Sequence, residues 1–172
     1  QLLSSPVEYE ESPLPIHPYV LGAFIGNGCC TLHPLSLSSG NDFVPNKVAE
    51  LCGFTTKKRK DCYTYEFYKD GKKINTKDFF KDIPEMIGSY SRDKIIPSNY
   101  MYNSVQVRME LLRGLMDTDG SIDSDNGVRY NVRYSSCSKK LLEHIQELIW
   151  GLGFSANISQ DSRTEKYVNG YH

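Results

Sequence analysis

The chain has 172 residues, a formal net charge of −1, 39% apolar and 24% charged residues, the make-up of an ordinary globular protein that can close a real core. No apolar run approaches the roughly 18 residues of a membrane span, and no basic segment followed by an apolar one opens the chain, so neither a transmembrane helix nor a secretory signal is read. Cys29, Cys30, Cys52, Cys62 and Cys137 form no C-x-x-C pair, and His17, His33, His144 and His172 show no ligand spacing. Reduced thiols in an intracellular protein, cytoplasmic or nucleoid/nuclear, fit better than a disulfide framework or a zinc site.

In chain order, residues 1–15 are acidic and punctuated by Pro6, Pro13 and Pro15, as a linker or extended arm would be. A helix is expected from His17 to Gly26, with Pro18 in its first turn. Cys29 to Ser38 alternates as a strand that Pro34 interrupts, and Gly40-Asn41-Asp42 turns into a helix from Val44 to Cys52, capped by Asp42 and ended by Gly53. Lys57, Lys58, Arg59 and Lys60 then read either as a solvated turn or as a surface facing nucleic acid. Asp61 to Tyr68 is an aromatic strand whose period-two rings suit one buried sheet face, and Asp70-Gly71 marks a hairpin into Lys72 to Asn75. A helix over Thr76 to Ile87 and a link over Ser91 to Pro97 follow.

Ser104 to Met116 has apolar residues at helical intervals. Ser121 to Asp123 starts a strand, Asp125-Asn126-Gly127 turns it, and Val128 to Ser135 returns with Arg129, Asn131 and Arg133 on one face. Such side chains suit phosphate and base-edge contacts, although a solvated sheet face would read the same way. Ser138 caps a helix from Lys139 to Gly151, with His144 on its surface. A strand over Phe154 to Ser159, a charged turn over Asp161 to Lys166 and a strand from Tyr167 close the reading.

Most chemistry is concentrated in Leu112-Arg113-Gly114-Leu115-Met116-Asp117-Thr118-Asp119-Gly120. Gly114 lets this helix lie close against another, Gly120 suits a left-handed helix exit, and Asp119 can hold a divalent cation through its carboxylate. Val20-Leu21-Gly22-Ala23-Phe24-Ile25-Gly26-Asn27-Gly28 aligns with it residue for residue, so that Gly22 matches Gly114, Gly26 matches Thr118, Asn27 matches Asp119 and Gly28 matches Gly120. An amide at Asn27 can still ligate a hard cation, but it brings no charge and cannot act as a base.

The two runs resemble the signature of LAGLIDADG homing endonucleases, and Lys94-Ile95-Ile96-Pro97 resembles the K-x-I-P element before the second motif in intein-borne members. The resemblance implies an α+β fold: a pseudo-twofold pair of αββαββα repeats over residues 16–97 and 98–172, with the closing helix of the second missing. The motif helices would pack at the centre through Gly22 and Gly114, above curved antiparallel sheets forming a DNA-binding saddle. It implies a monomer acting as a pseudo-dimer on a long duplex DNA site, with the flanking splicing domain of an intein as a further partner.

In that reading Asp119, Asn27 and Lys94 are catalytic, and Asp119, Asn27, Gly26 and Thr118 surround Mg²⁺, with Mn²⁺ as substitute. Asp117 caps and orients the helix ends. Lys57, Lys58, Arg59, Lys60, Arg129, Asn131, Arg133 and Arg163 contact DNA. With Asn27 in place of an acid, nicking or binding without cutting is expected. A self-splicing intein would open on Cys or Ser and close on His-Asn, whereas Gln1 and His172 stand here, as in a domain from within one. An inactive DNA-binding module, which the near-neutral charge favours, and an intron RNA maturase are the alternatives.

Overall fold

The computed structural model describes residues 5–31, 34–60, 63–125, 127 and 129–160. Two helices lie at its centre. α1 (Pro18–Asn27) is apolar on nearly every side, and its residues from Tyr19 to Ile25 are all buried. It packs along α5 (Val105–Asp119), whose buried residues are Val107, Arg108, Leu111, Gly114 and Leu115. Glycine sets the distance between them. A Cβ on Gly22 would drive into the Leu111 carbonyl and stop 2.9 Å from the Leu115 nitrogen; one on Gly114 would drive into the Tyr19 carbonyl, 2.9 Å from the Ala23 nitrogen. Gly22 faces Gly114 and Gly26 faces Thr118, so the helices run parallel and finish together.

Each central helix passes into an antiparallel pair and then another helix. After α1 come β1 (Gly28–Cys29), β2 (Ser36–Ser38) and α2 (Phe43–Cys52). β3 (Thr55–Lys58), β4 (Thr64–Lys69) and β5 (Lys72–Lys73) complete a sheet in the order β1-β2-β4-β3, with β5 on β4. Its inner face carries Leu37, Tyr65 and Phe67. Phe24 of α1 meets Phe67, Phe79 and Phe80 at ring-centroid distances of 5.6, 5.4 and 5.5 Å, a packed aromatic centre for this half. After α5 come β6 (Gly120–Asp125), β7 (Arg129–Tyr134) and α6 (Lys139–Gly151), which buries Leu141, Ile145 and Leu148.

Several expectations need correction. The strand read over Cys29 to Ser38 is two short strands. Lys57 and Lys58 belong to β3 rather than to a turn. Asp42 makes no side-chain cap; Asn41 Oδ1 accepts from the Phe43 amide at 3.0 Å, while the Asp42 carboxylate takes the Tyr65 hydroxyl and Lys58. The helix expected to Ile87 is only α3 (Thr76–Phe79), and a separate 3₁₀ turn at Pro84–Met86 opens on Pro84, whose missing N–H is tolerated in a first turn. A short α4 (Ser98–Met101) precedes α5.

Residues 154–160 form no strand; Gln146 Nε2 and Trp150 Nε1 hold the Ala156 carbonyl against α6 at 3.0 and 3.2 Å. The turn over 161–166 and the strand from Tyr167 lie outside the described residues. His144 is half-buried, its Nδ1 accepting from the Ile96 amide at 3.2 Å, so it is not a plain surface residue.

The acidic arm is strapped to the second half. The Val7 amide donates to the Gly151 carbonyl at 2.8 Å, and the buried Arg108 guanidinium holds the Val7 carbonyl and stacks over Tyr9. Asn103 binds Ser12 from both ends of its amide, and the Tyr100 hydroxyl donates to the Ile16 carbonyl at 2.8 Å.

Candidate active site

α1 and α5 leave their helices by the same route. Gly28 has φ −78°, ψ 144° and Gly120 has φ −79°, ψ 149°. These are extended values, so the left-handed exit expected at Gly120 is not used. Glycine is needed for another reason. A Cβ on Gly28 would strike Phe24, and one on Gly120 would lie 2.9 Å from the Met116 Cα.

Asp119 therefore sits on the last residue of α5, half-buried at the meeting of the two helix ends. Burial raises its carboxyl above the usual carboxylate range, against the opposing pull of Lys94 and the Tyr134 hydroxyl. Tyr134 lies opposite Gly120 in the β6–β7 register, and its hydroxyl faces Asp119 Oδ2 at 3.5 Å. Asn27 ends α1, and its Nδ2 donates to the Thr118 carbonyl at 3.4 Å. A Cβ on Gly26 would come within 2.8 Å of the Thr118 Cβ, so Gly26 keeps these ends close.

Lys94 is buried beneath the α1 end. Its ammonium donates to the carbonyls of Phe24, Gly26 and Gly28 at 3.1, 2.9 and 2.9 Å, one for each of its three hydrogens. Three carbonyls at a helix terminus attract a cation through the macrodipole as well as directly. Burial still lowers the Lys94 pKa, with Cys30 and Asp119 pulling it back up. The Ser138 hydroxyl, which caps α6, donates to the Lys94 carbonyl at 2.9 Å, so one residue ties the first helix end to the second half.

Asp117 does not cap a helix. Its carboxylate accepts from the Tyr19 hydroxyl at 2.8 Å, bridging α5 to α1, and burial raises the Tyr19 pKa further than that bond does. Asp119 and the Asn27 side chain supply oxygen donors at the junction, but Gly26 and Thr118 offer carbonyls already engaged by Lys94 and Asn27. Among the described residues no three or more His, Cys, Asp or Glu side chains converge on one point. One carboxylate and one amide oxygen could contribute to holding a hard cation, which would need its remaining oxygens from elsewhere.

The expected basic residues divide. Lys57 lies opposite Glu66 on the outward face of the first sheet, with Arg59 and Lys73 nearby. Lys58 lies opposite Tyr65 on the inward face and reaches Asp42. Lys60 is exposed beyond the strand end. In the second sheet Arg133 pairs with Ser121 and Asn131 with Asp123, and the Arg133 guanidinium meets Asp123 at 3.0 Å. Arg129 pairs with Asp125 along the backbone, and Arg163 lies outside the described residues. Sequence reasoning missed Tyr134, Glu66 and Lys73. Counting the hairpin register back from Asp125-Asn126-Gly127 would have found Tyr134, and the opposite parity of Glu66 to Tyr65 and Phe67 was visible too.

A family model described as LAGLIDADG-like domain matches residues 106–172. Part of the chain is 35% identical over 91 residues to the ATP-dependent DNA helicase Hel308 of Thermococcus kodakarensis, covering 52% of this chain and 8% of that protein. Another match, 36% identical over 67 residues, is to the replicative DNA helicase DnaB of Mycobacterium intracellulare and covers 39% of this chain and 11% of that protein. The matched segments are thus a small part of either relative. The match over residues 106–172 supports a kinship of that part of the chain with the LAGLIDADG homing endonucleases.

Proposed function

We propose that this chain is the endonuclease domain of an intein, that it binds a long duplex DNA site, and that it cleaves chiefly or only one strand. The observation that carries the reading is the meeting of the α1 and α5 ends, with Asp119 on one and Asn27 at the matching place on the other. Intein origin is supported by the matches to two differently named helicases, each over a small fraction of its length, as a mobile inserted segment would give.

The two sheets would lie along the groove as a saddle, related by a pseudo-twofold axis between the central helices. Outward residues of each would contact phosphates and base edges, and DNA deformability would add to specificity. Asp119 would hold Mg²⁺, or Mn²⁺, against one scissile phosphate, with the Asn27 oxygen as a neutral donor nearby. When bound, such an ion lowers the pKa of its water and stabilises the leaving 3′ oxygen. The Tyr134 hydroxyl orients the Asp119 carboxylate. Lys94 fixes the carbonyls around Asn27 and places a positive charge beneath the phosphate path.

A second reading, a DNA-binding module without cleavage, is favoured by the engagement of all three Lys94 hydrogens with carbonyls. A cleavage selection decides. A randomised plasmid library is incubated with Mg²⁺ or Mn²⁺ and either this chain or Asn27→Asp, and all new DNA ends are sequenced. Nicks from the chain and paired breaks from Asn27→Asp support the one-centre endonuclease. No ends from either, with both proteins folded, leave the binding module.

A further inference from the structure

The outward face of the first sheet contains a carboxylate among its cations. Glu66 stands in the middle of β4, between Ser36 of β2 and Lys57 of β3 in register. Its side chain is only 9% exposed. Lys73 Nζ lies 2.9 Å from Oε2, Arg59 Nε lies 3.6 Å from Oε1, and the Tyr68 hydroxyl donates to Oε2 at 2.9 Å. Lys57 Nζ sits 4.9 Å from the centre of the Tyr68 ring. The cations themselves stay about half exposed, at 57% for Arg59 and 48% for Lys73.

On a face that only had to attract phosphate, a central acid would be a liability, since it lowers the positive potential and repels the ligand. Here it is covered by the groups it binds, so it is not placed to read bases itself. It fixes one side of each cationic head group and leaves the other side to solvent. Free lysines and arginines lose rotamer entropy when they bind; heads already held in place lose less. Arg59, paired with Glu66 on its Nε side at 3.6 Å, keeps its terminal N–H groups for a bidentate contact.

We propose that Glu66 is a specificity-positioning residue, which fixes Arg59, Lys73 and, through Tyr68, Lys57 in the geometry that reads one half of the DNA site, at the expense of non-specific affinity. The proposal rests on the reading of this face as DNA-binding. It predicts opposite movements of two quantities that a purely structural residue would move together.

The test measures binding of the whole chain to a random-sequence duplex pool and to the duplex recovered from that pool by repeated selection, over a salt series without divalent metal. Glu66→Gln is expected to bind the pool roughly threefold to tenfold more tightly, with a salt slope steeper by about one. Its preference for the selected duplex over the pool should fall by about tenfold, the scale of one mismatched base pair. Glu66→Asp keeps the charge but withdraws it from Lys73, and should lose preference without tightening on the pool. Both affinities of Glu66→Gln falling together, rising together with preference kept, or staying unchanged would overturn the proposal, as would full preference in Glu66→Asp. Failure of the unaltered chain to bind any duplex is a different result, and removes the DNA-binding reading itself.

Discussion

The two central helices end in the same backbone conformation and in different chemistry. At the end of α5 stand Asp119 and, opposite Gly120 in register, Tyr134 with its hydroxyl toward the carboxylate. At the end of α1 stand Asn27 and, opposite Gly28, Leu37, which is fully buried. The first end thus lacks both the acid and the hydroxyl that faces it, and has the Lys94 ammonium beneath it instead. The asymmetry spans two positions, so it belongs to the local packing and not to a single side chain. The two helix ends thus share a backbone frame, while the carboxylate stands at one of them and an amide at the other.

The frame itself gives the largest expected effect. Gly22→Ala or Gly114→Ala puts a methyl group into the backbone of the facing helix, where no rotamer change relieves it. Each should cost about 3 kcal/mol or more, at the upper end for overpacking, as measured by urea unfolding. If the helices are equal partners the two losses are similar, and a loss confined to one of them would break the comparison.

Exchanging the chemistry of the ends comes next, with opposite signs. On the proposed endonuclease reading, Asp119→Asn should lower cleavage by on the order of a thousandfold. It should also stabilise the fold in EDTA, by at most about 1 kcal/mol once solvent screening is allowed for. The folded-state pKa of Asp119 is raised above 3.8, so its charged form is disfavoured in the fold and stability falls as pH rises through the folded value. The advantage of Asp119→Asn should therefore be absent in strong acid and full at neutral pH. Asn27→Asp should do the reverse, losing the donor to the Thr118 carbonyl and about 1 kcal/mol, partly offset by Lys94. Equal thermal shifts for the two variants would show that the ends are electrostatically alike.

Both motif helices and the Asp70-Gly71 hairpin were legible in the sequence, because each rests on local periodicity or backbone freedom, whereas the packing of the helices through Gly22 and Gly114 was implied by the resemblance. Asp70 and Gly71 do have positive φ, at 50° and 75°. What escaped depends on partners distant in sequence. Asp42 is a good capping residue, yet Tyr65 and Lys58 take its carboxylate. Gly120 suits a left-handed exit, yet it is glycine because the preceding turn comes too close. The Lys57–Lys60 run was visible, but its division between two sheet faces follows from register, which a run of like charges does not encode. Asn27 and Asp119 were legible as a mismatched pair, whereas Tyr134 and Leu37 behind them were not.

The smallest effect compares one histidine from each half. His17 Nδ1 accepts from the Tyr19 amide at the start of α1, and His144 Nδ1 accepts from the Ile96 amide beside Lys94. Burial lowers both pKa values below 6.5, with Lys47 adding to the effect at His17 and Lys140 at His144. With folded values below unfolded ones, their contribution is complete above about pH 6.5 and is lost as pH falls through the folded values. Glu66, whose pKa is lowered chiefly by the Lys73 hydrogen bond, loses its contribution only below 4.5, so the two windows separate. Between about pH 7.5 and pH 5 the chain should lose a few tenths of a kcal/mol through each histidine after screening, more through half-buried His144 than through exposed His17. Asn keeps an acceptor near the Nδ1 position and does not titrate. His144→Asn should therefore flatten most of the Tm decrease across that interval, and His17→Asn less of it. A larger flattening from His17→Asn would place the acid-sensitive contact at the start of α1, and equal flattening would remove the difference in burial as its cause.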